Sequence, residues 1–230
     1  MTRRLLALVL ILSGCHKAPP KPVGVSAVTW KLGFDAARTT PEATGWRVTT
    51  DTGYDVHVTQ GVLTTWRLSM TPCPPPVTWS LIPAAYANHV DPPDPTSLLP
   101  HLAENLARPE EAKLTRNVPV ARYCQGFWLA SAPPPALAGD GPRISLQLHA
   151  TWQKADKHGA IALETWMPDA KMQPVPGLDA ADGATTIAVT RHLGGLLDGI
   201  DLATAPTEAM AWTVLHKLVG GADWRVTSGK

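Results

Sequence analysis

The amino-acid sequence predicts an all-β protein, an antiparallel β-sandwich with one or two short helices. The clearest pattern runs from Ile144 to Gln153, where apolar and polar residues alternate, as expected of a half-buried strand. Proline accounts for 23 of the 230 residues, about twice the usual share, which favours turns over long helices. Helical patterns do not alternate with strands, so a βαβ architecture is disfavoured.

Further strands are predicted on both sides of this segment. Proline clusters at 74–76, 92–95 and 133–135 indicate loops between the strands. Gly61 indicates an irregularity in the longest strand. Many short strands joined by turns rich in Gly and Pro are typical of a sandwich. The predicted strands are residues 25–34, 45–50, 54–70, 121–130, 159–166 and 184–190.

Two segments carry apolar residues at helical spacing. Residues 206–219 form the stronger pattern, with Thr207 as the N-cap and Gly220 and Gly221 as the stop signal. In residues 96–106, Pro100 is compatible only with the first turn. The apolar positions of this second segment are Leu98, Leu99, Leu102 and Leu106.

The N-terminus has the features of a secretory signal. Arg3 and Arg4 precede an apolar run over residues 5–12, which is far shorter than the roughly 20 residues of a membrane-spanning helix. The sequence Leu12-Ser13-Gly14-Cys15 resembles the lipobox of bacterial lipoproteins. That resemblance implies cleavage before the cysteine, a diacylated Cys15 thiol and an acylated new N-terminus. The alternative is an ordinary signal peptide with an incidental cysteine.

Lipid anchoring also accounts for the residues that follow. Two or three acyl chains hold a protein stably at a membrane, at roughly 0.8 kcal/mol per buried CH₂. The prolines and lysines of residues 16–22 suit an extended, solvated tether. We therefore divide the chain into a signal peptide (1–14), an acylated cysteine with its tether (15–23) and a single β-sandwich domain (24–230). By resemblance to enterobacterial sorting, His16 in place of Asp implies the outer membrane, facing the periplasm or the cell surface.

Cys73 and Cys124 are the two cysteines that remain after lipidation. An even pair in an oxidising compartment is expected to form a disulfide. Closing the loop between residues 73 and 124 would stabilise the fold by about 4 kcal/mol in the chain-entropy model. The competing interpretation is a thiolate metal site, for which no C-x-x-C spacing supplies further ligands.

Charge and motifs argue against several classes of function. Lys and Arg number 20 against 19 Asp and Glu, so no electrostatic case exists for binding nucleic acid. The sequence lacks G-x-S-x-G, H-E-x-x-H, G-x-x-x-x-G-K and S-x-x-K. No catalytic residue is therefore assigned, and an enzyme with an unrecognised site stays an alternative. A calcium site or a carboxylate pair is an alternative use of Asp91, Asp94, Asp198 and Asp201, but Asp-x-x-Asp spacings are common in loops and no EF-hand spacing surrounds them.

Histidine is the residue type most suggestive of a metal site. His89 and His101 flank a proline-rich loop, and His57 and His149 occupy polar positions of predicted strands. Neutral imidazole is the commonest protein ligand for copper or zinc. These four residues form the hypothetical transition-metal site, with copper as the first candidate. The alternative is that they are solvated surface histidines.

The order of elements also carries a resemblance. The final helix is preceded, in order, by an opening strand (VTWKLGFDA), a strand pair leading to Cys73, a histidine-containing loop and a late GGLLDGIDL segment. This order resembles a group of periplasmic proteins that includes the partner proteins of methanobactin cassettes. The resemblance implies a β-rich fold linked to copper. The chain lacks that group's characteristic cysteine and histidine motifs, so no binding residue is carried over.

Nine tryptophans among so few aromatic residues are unusual. Exposed indoles could stack on sugar rings, which gives a second hypothesis of a glycan- or protein-interaction module. Trp66 and Trp152 lie in phase with core residues of their strands, so we expect them to pack inside. Trp46 and Trp79 are predicted to be the exposed pair.

Overall fold

A computed structural model of the protein describes residues 24–74, 94–134, 143–179 and 183–228. The predicted signal peptide (1–14) and the tether with Cys15 lie outside the described residues. No helix in the described part of the chain is long and apolar enough to cross a membrane.

The smaller of two sheets has four strands. Its order is β13 (Asp223–Ser228), β12 (Thr185–His192), β1 (Val25–Asp35) and β7 (Ala112–Pro119). β1 and β12 run parallel, which differs from the antiparallel arrangement that we predicted, whereas the other pairs are antiparallel. No hairpin joins β1 to β12, since most of the domain lies between them, and their relative direction is therefore not fixed by a short turn.

The larger sheet is organised around the long strand β4 (Asp55–Pro72). One edge of β4 pairs with β3 (Trp46–Thr49), β6 (Leu102–Asn105) and β5 (Ser97–Leu98). The other edge pairs with β9 (Leu146–Lys154) and β8 (Arg122–Ala130). The outer strands are β2 (Thr40–Pro41), β10 (Lys157–Thr165) and β11 (Asp169–Asp179).

The irregularities of β4 lie close to the predicted position. The pairing of β4 with β9 shifts between Val58 and Gln60, immediately before Gly61. A second shift, in the pairing with β8, lies between Thr65 and Arg67. These bulges bend the strand, which allows one strand to pair with β3 and β9 at its start and with β5 and β8 at its end.

One helix, α1 (Glu208–Gly220), confirms the stronger of the two helix predictions. Thr207 caps it by accepting a hydrogen bond from the Met210 amide, and Gly221 ends it. The apolar side of α1 packs against β9, β10 and β11. The predicted helix at 96–106 is wrong, because that segment forms β5 and β6, and between them His101 has a φ of 47°.

A single apolar core fills the space between the sheets and beneath α1, which confirms the sandwich. It includes Trp30 and Leu32 of β1, Trp128 of β8 and Leu148 of β9. The predicted disulfide between Cys73 and Cys124 is also confirmed, with Cα atoms 4.8 Å apart. It joins β8 to the residue just after β4, where the two strands pair.

Candidate functional site

An open groove of about 460 Å³ lies where three segments far apart in the sequence meet. The turn between β3 and β4 contributes Tyr54, the β9–β10 hairpin contributes a tryptophan and charged residues, and the segment that precedes α1 contributes Asp201. Its volume is in the range of small-molecule binding sites. We call it the Trp152 groove, defined by Tyr54, Trp152, Lys154, Asp156, Lys157 and Asp201.

Two aspartates fasten the segments that form the groove. The backbone N–H of Asp51 donates to Asp198 Oδ1 at 3.0 Å, and the N–H of Gly199 donates to Asp51 Oδ1 at 2.6 Å. Asp198 also binds Arg38 Nη1 at 3.0 Å through its other oxygen. Although desolvation alone would raise the pKa of Asp198, these hydrogen bonds and the neighbouring cations lower it. The turn before β4 and the segment before α1 are thus held in one arrangement.

Tyr54 and Asp201 join the same two segments inside the groove. The Tyr54 hydroxyl donates a hydrogen bond to Asp201 Oδ1, and the Ala203 N–H donates to the same oxygen at 3.1 Å. The hydrogen bond from Tyr54 is the main reason that the pKa of Asp201 is lowered, and Lys154 and Lys157 act in the same direction. The same bond raises the pKa of Tyr54. Asp201 is therefore a fixed carboxylate acceptor at the groove wall.

Trp152 supplies the aromatic surface of the groove. Its indole packs over Gly159, where an added Cβ would lie 2.8 Å from two indole carbons. The Tyr54 ring meets the indole edge-on, with centroids 5.3 Å apart. The Lys154 ammonium lies over the Tyr54 ring, 4.5 Å from its centroid. Trp152 is half-buried, not fully buried as its strand phase predicts.

The charges around the indole balance. Lys154 and Lys157 provide ammonium donors, and Asp156 and Asp201 provide carboxylate acceptors. A groove with equal numbers of both favours a ligand that is itself neutral and carries groups that both donate and accept hydrogen bonds. Hydroxyl groups have this property.

The groove lies at the end of the small sheet where β1 and β12 finish. β1 starts at Val25 and β12 runs parallel to it, so both strands end together at Asp35 and His192. The segment that carries Asp198 and Asp201 leaves this far end and stays bound there through Arg38. An eleven-residue strand such as β1 is roughly 35 Å long.

The four histidines of the metal hypothesis are only partly described. His57 and His149 lie on the paired strands β4 and β9. The Nε2 of His57 lies 2.6 Å from the Thr44 carbonyl oxygen, and that of His149 lies 3.7 Å from Glu164 Oε1. His101 stacks on Trp66, with centroids 4.0 Å apart. His89 lies outside the described residues.

These three histidines do not converge on one point. Within residues 24–74, 94–134, 143–179 and 183–228, no group of three or more His, Cys, Asp or Glu side chains is arranged to hold a metal ion. Of the calcium candidates, Asp94, Asp198 and Asp201 bind Arg67, Arg38 and Tyr54, and Asp91 lies outside the described residues.

The predicted exposure of the tryptophans needs correction. Trp46 is 3% exposed, and its Nε1 donates to the Leu106 carbonyl, so the side chain belongs to the core. Trp79 lies outside the described residues. Among the described residues, the exposed indoles are those of Trp166 and Trp212, with 66% and 36% of their surface accessible. Trp212 stacks on His216, one turn further along α1.

The sequence matches no protein-family model, and comparisons with curated proteins and with solved structures give no match. The groove therefore has to be interpreted from its own geometry.

Proposed function

We propose that this protein is a lipid-anchored protein of the bacterial cell envelope that binds a neutral saccharide in the Trp152 groove. The observation that carries the proposal is the half-buried Trp152 indole, flanked by two ammonium and two carboxylate groups in an open groove.

The anchor is supported by the lipobox-like sequence that ends at Cys15 and by the tether that follows it. The disulfide between Cys73 and Cys124 is consistent with an oxidising compartment such as the periplasm. A groove at the far end of the sandwich would remain open to ligands when the other end is held at a membrane.

The ligand class is supported by the chemistry of the groove. One face of a pyranose ring presents C–H groups, which pack against an indole, and its edge presents hydroxyls. Carboxylates such as Asp201 accept from those hydroxyls, and ammonium groups such as Lys157 donate to them. The fastened loops mean that little ordering is needed on binding, which favours affinity.

The anchor is tested by the substitution Cys15→Ser. The wild-type protein should incorporate labelled palmitate and sediment with membranes, and the variant should do neither. A variant that stays membrane-bound in the absence of label would contradict the anchor.

Saccharide binding is tested on the acylated full-length chain in a detergent without sugar groups. Calorimetry against neutral oligomers of glucose, galactose and N-acetylglucosamine should give binding to at least one series. Trp152→Ala should abolish it, and Lys157→Gln should weaken it about tenfold, the loss of one charge-assisted hydrogen bond. Far-UV circular dichroism checks that the variants are folded.

The matched controls are Trp166→Ala and Trp212→Ala, which remove exposed indoles outside the groove. They should bind like the wild type. Loss of binding in these two variants, with binding retained in Trp152→Ala, would move the saccharide site to the exposed tryptophans. No binding to any series would overturn the proposal.

A further inference from the structure

A second hollow, of about 440 Å³, lies between the edges of the two sheets on the side of β5 and β7. Arg67 of β4 and Arg116 of β7 reach into it from opposite sheets. The remaining residues that line it combine a carboxylate, a hydroxyl and two leucines. We call it the Arg67–Arg116 hollow, lined by Arg67, Asp94, Ser97, Leu98, Leu99 and Arg116.

The hollow carries a net positive charge. Arg67 Nη2 pairs with Asp94 Oδ2 at 3.1 Å, so one guanidinium is neutralised. Arg116 donates through its Nε to the Pro95 carbonyl at 3.1 Å, and in the described part of the chain its terminal nitrogens have no other partner. A guanidinium with free terminal nitrogens matches the geometry of a phosphate or a carboxylate.

The hollow is also apolar along one side. Leu98 is half-buried and packs against the core, and Leu99 is 51% exposed. A guanidinium with free terminal nitrogens beside an exposed leucine suits an amphiphile, which has an acidic group joined to a hydrocarbon part. A simple phosphate ion would use only the first of these features.

The position of the hollow indicates where such an amphiphile would come from. Arg116 lies opposite Val28, and Pro119 lies opposite Val25, so the hollow is three residues along the sheet from the point where the tether enters. Val25 itself is 68% exposed. The tether from residue 16 to residue 24 can span at most about 28 Å when extended as polyproline II. It also carries Lys17 and Lys21, which favour an anionic bilayer.

We infer that the Arg67–Arg116 hollow binds the phosphate headgroup of an anionic phospholipid in the membrane that anchors the protein. Arg116 holds the phosphate, and Leu99 contacts the acyl-chain side. This contact orients the sandwich so that the Trp152 groove points away from the bilayer. The inference rests on the proposed lipid anchor, because only an anchored domain is held this close to a membrane.

The first experiment measures the anion site alone. The acylated full-length protein, in neutral detergent, is titrated with glycerol 1-phosphate and with inorganic phosphate. Glycerol 1-phosphate should bind, and Arg116→Gln should weaken its binding at least about tenfold, the loss of a hydrogen-bonded charge. Asp94→Asn should tighten binding, because it removes the opposing charge and keeps the side-chain oxygen that receives the Thr96 N–H. Arg225→Gln, at an exposed position of β13, is the matched control and should change nothing.

The second experiment places the protein in a bilayer. Acylated protein is reconstituted into vesicles of phosphatidylcholine with or without phosphatidylglycerol, and arginines are modified with phenylglyoxal and quantified by mass spectrometry. Arg67 and Arg116 should react several-fold more slowly when phosphatidylglycerol is present, and Arg225 should react equally in both. Equal reactivity of all three arginines would overturn the lipid assignment. If the titration shows tight binding in the same protein, the hollow is then a site for free phosphate.

Failure of the anchor is distinguishable from failure of this inference. An unacylated protein is recognised by its mass and does not enter the vesicles, whereas an acylated protein that enters them and shows no arginine protection contradicts only the inference.

Discussion

Arg191 and Glu104 form a bidentate ion pair in the centre of the sandwich. Arg191 Nη1 and Nη2 donate to Glu104 Oε2 and Oε1 at 2.8 and 2.6 Å, and the side chains are 0% and 4% exposed. The pair joins β12 of the small sheet to β6 of the large sheet. Thr65 Oγ1 donates to the same carboxylate, and Arg191 lies over the rings of Phe34 and Trp128.

We expect Glu104→Ala to lower the free energy of unfolding by about 3–5 kcal/mol, because it leaves Arg191 buried without its partner. The double variant Glu104→Leu/Arg191→Met should recover most of this loss, since it removes both charges and keeps the apolar volume. Urea denaturation measures both. Glu42→Ala breaks a surface pair with Arg47 and should cost no more than about 1 kcal/mol. If Glu104→Ala is as mild as this control, the pair is not what holds the sheets together.

The same pair explains the one helix that we predicted wrongly. Leu98, Leu102 and Leu106 recur at helical spacing. Leu102, Glu104 and Leu106, however, are every second residue of a strand, and all three point inward. From the local sequence alone, an acidic residue between two leucines argues against a buried strand. The partner that makes its burial possible is Arg191, which is 87 residues away in the sequence, so no local pattern shows it.

The other elements also divide into those that local sequence patterns predict and those that depend on distant residues. The alternation in β9 and the capped apolar face of α1 are local properties, and both were predictable. β7 was not predicted, because Arg116 occupies an inward phase of the strand, and β11 was not predicted, because Pro174 interrupts it at a bulge. The Trp152 groove combines three segments that meet only through tertiary contacts, so Trp152 and Asp201 could be named in advance but not brought together.

His192 lies between two carboxylates at the end of the small sheet, 3.0 Å from Asp35 Oδ2 and 2.9 Å from Asp223 Oδ2. Desolvation alone would lower the pKa of His192, but the two carboxylates raise it above its ordinary value. The Ala37 N–H and His192 lower the pKa of Asp35. The histidine contribution to stability is therefore lost as pH rises through the raised value, and the aspartate contribution is lost as pH falls through the lowered value.

This cluster should stabilise the fold most between about pH 4 and pH 6.5. We expect His192→Gln to lower the urea midpoint clearly at pH 5.5 and much less at pH 8.5. The control His158→Gln, on the exposed β9–β10 hairpin, should leave both midpoints unchanged. A loss in His192→Gln that is the same at both pH values would show that the ring acts by packing and not by its charge.

The disulfide between Cys73 and Cys124 closes a separation of 51 residues. We expect Cys73→Ala/Cys124→Ala to lose about 4 kcal/mol of unfolding free energy, since the unfolded chain is no longer constrained. Reduction of the wild-type protein should lower its urea midpoint to that of the variant. A midpoint that reduction leaves unchanged would mean that the thiols are not joined in the purified protein.

Metal content tests the histidine hypothesis directly. The Nε2 atoms of His57 and His149 face the Thr44 carbonyl and Glu164, so we expect no stoichiometric metal to be retained after loading with copper or zinc and dialysis. Elemental mass spectrometry of the wild type and of His89→Ala/His101→Ala measures this. Near-stoichiometric metal in the wild type that the double variant loses would establish a site that includes His89, His101 or both, and would replace the saccharide proposal.

Gly159 and Trp152 provide the most specific test of the groove. A Cβ at position 159 would lie 2.8 Å from the indole, so the Trp152 ring must shift to accommodate Gly159→Ala. The fold should lose about 1–3 kcal/mol, as is usual for overpacking, and saccharide affinity should fall because the aromatic surface has moved. Gly33→Ala, on β1, is the matched control, because no atom lies within 4 Å of the Cβ that it adds. Calorimetry and tryptophan fluorescence should separate the two variants. If Gly159→Ala binds saccharide as the wild type does while its fluorescence changes, the indole is not the surface on which the sugar rests.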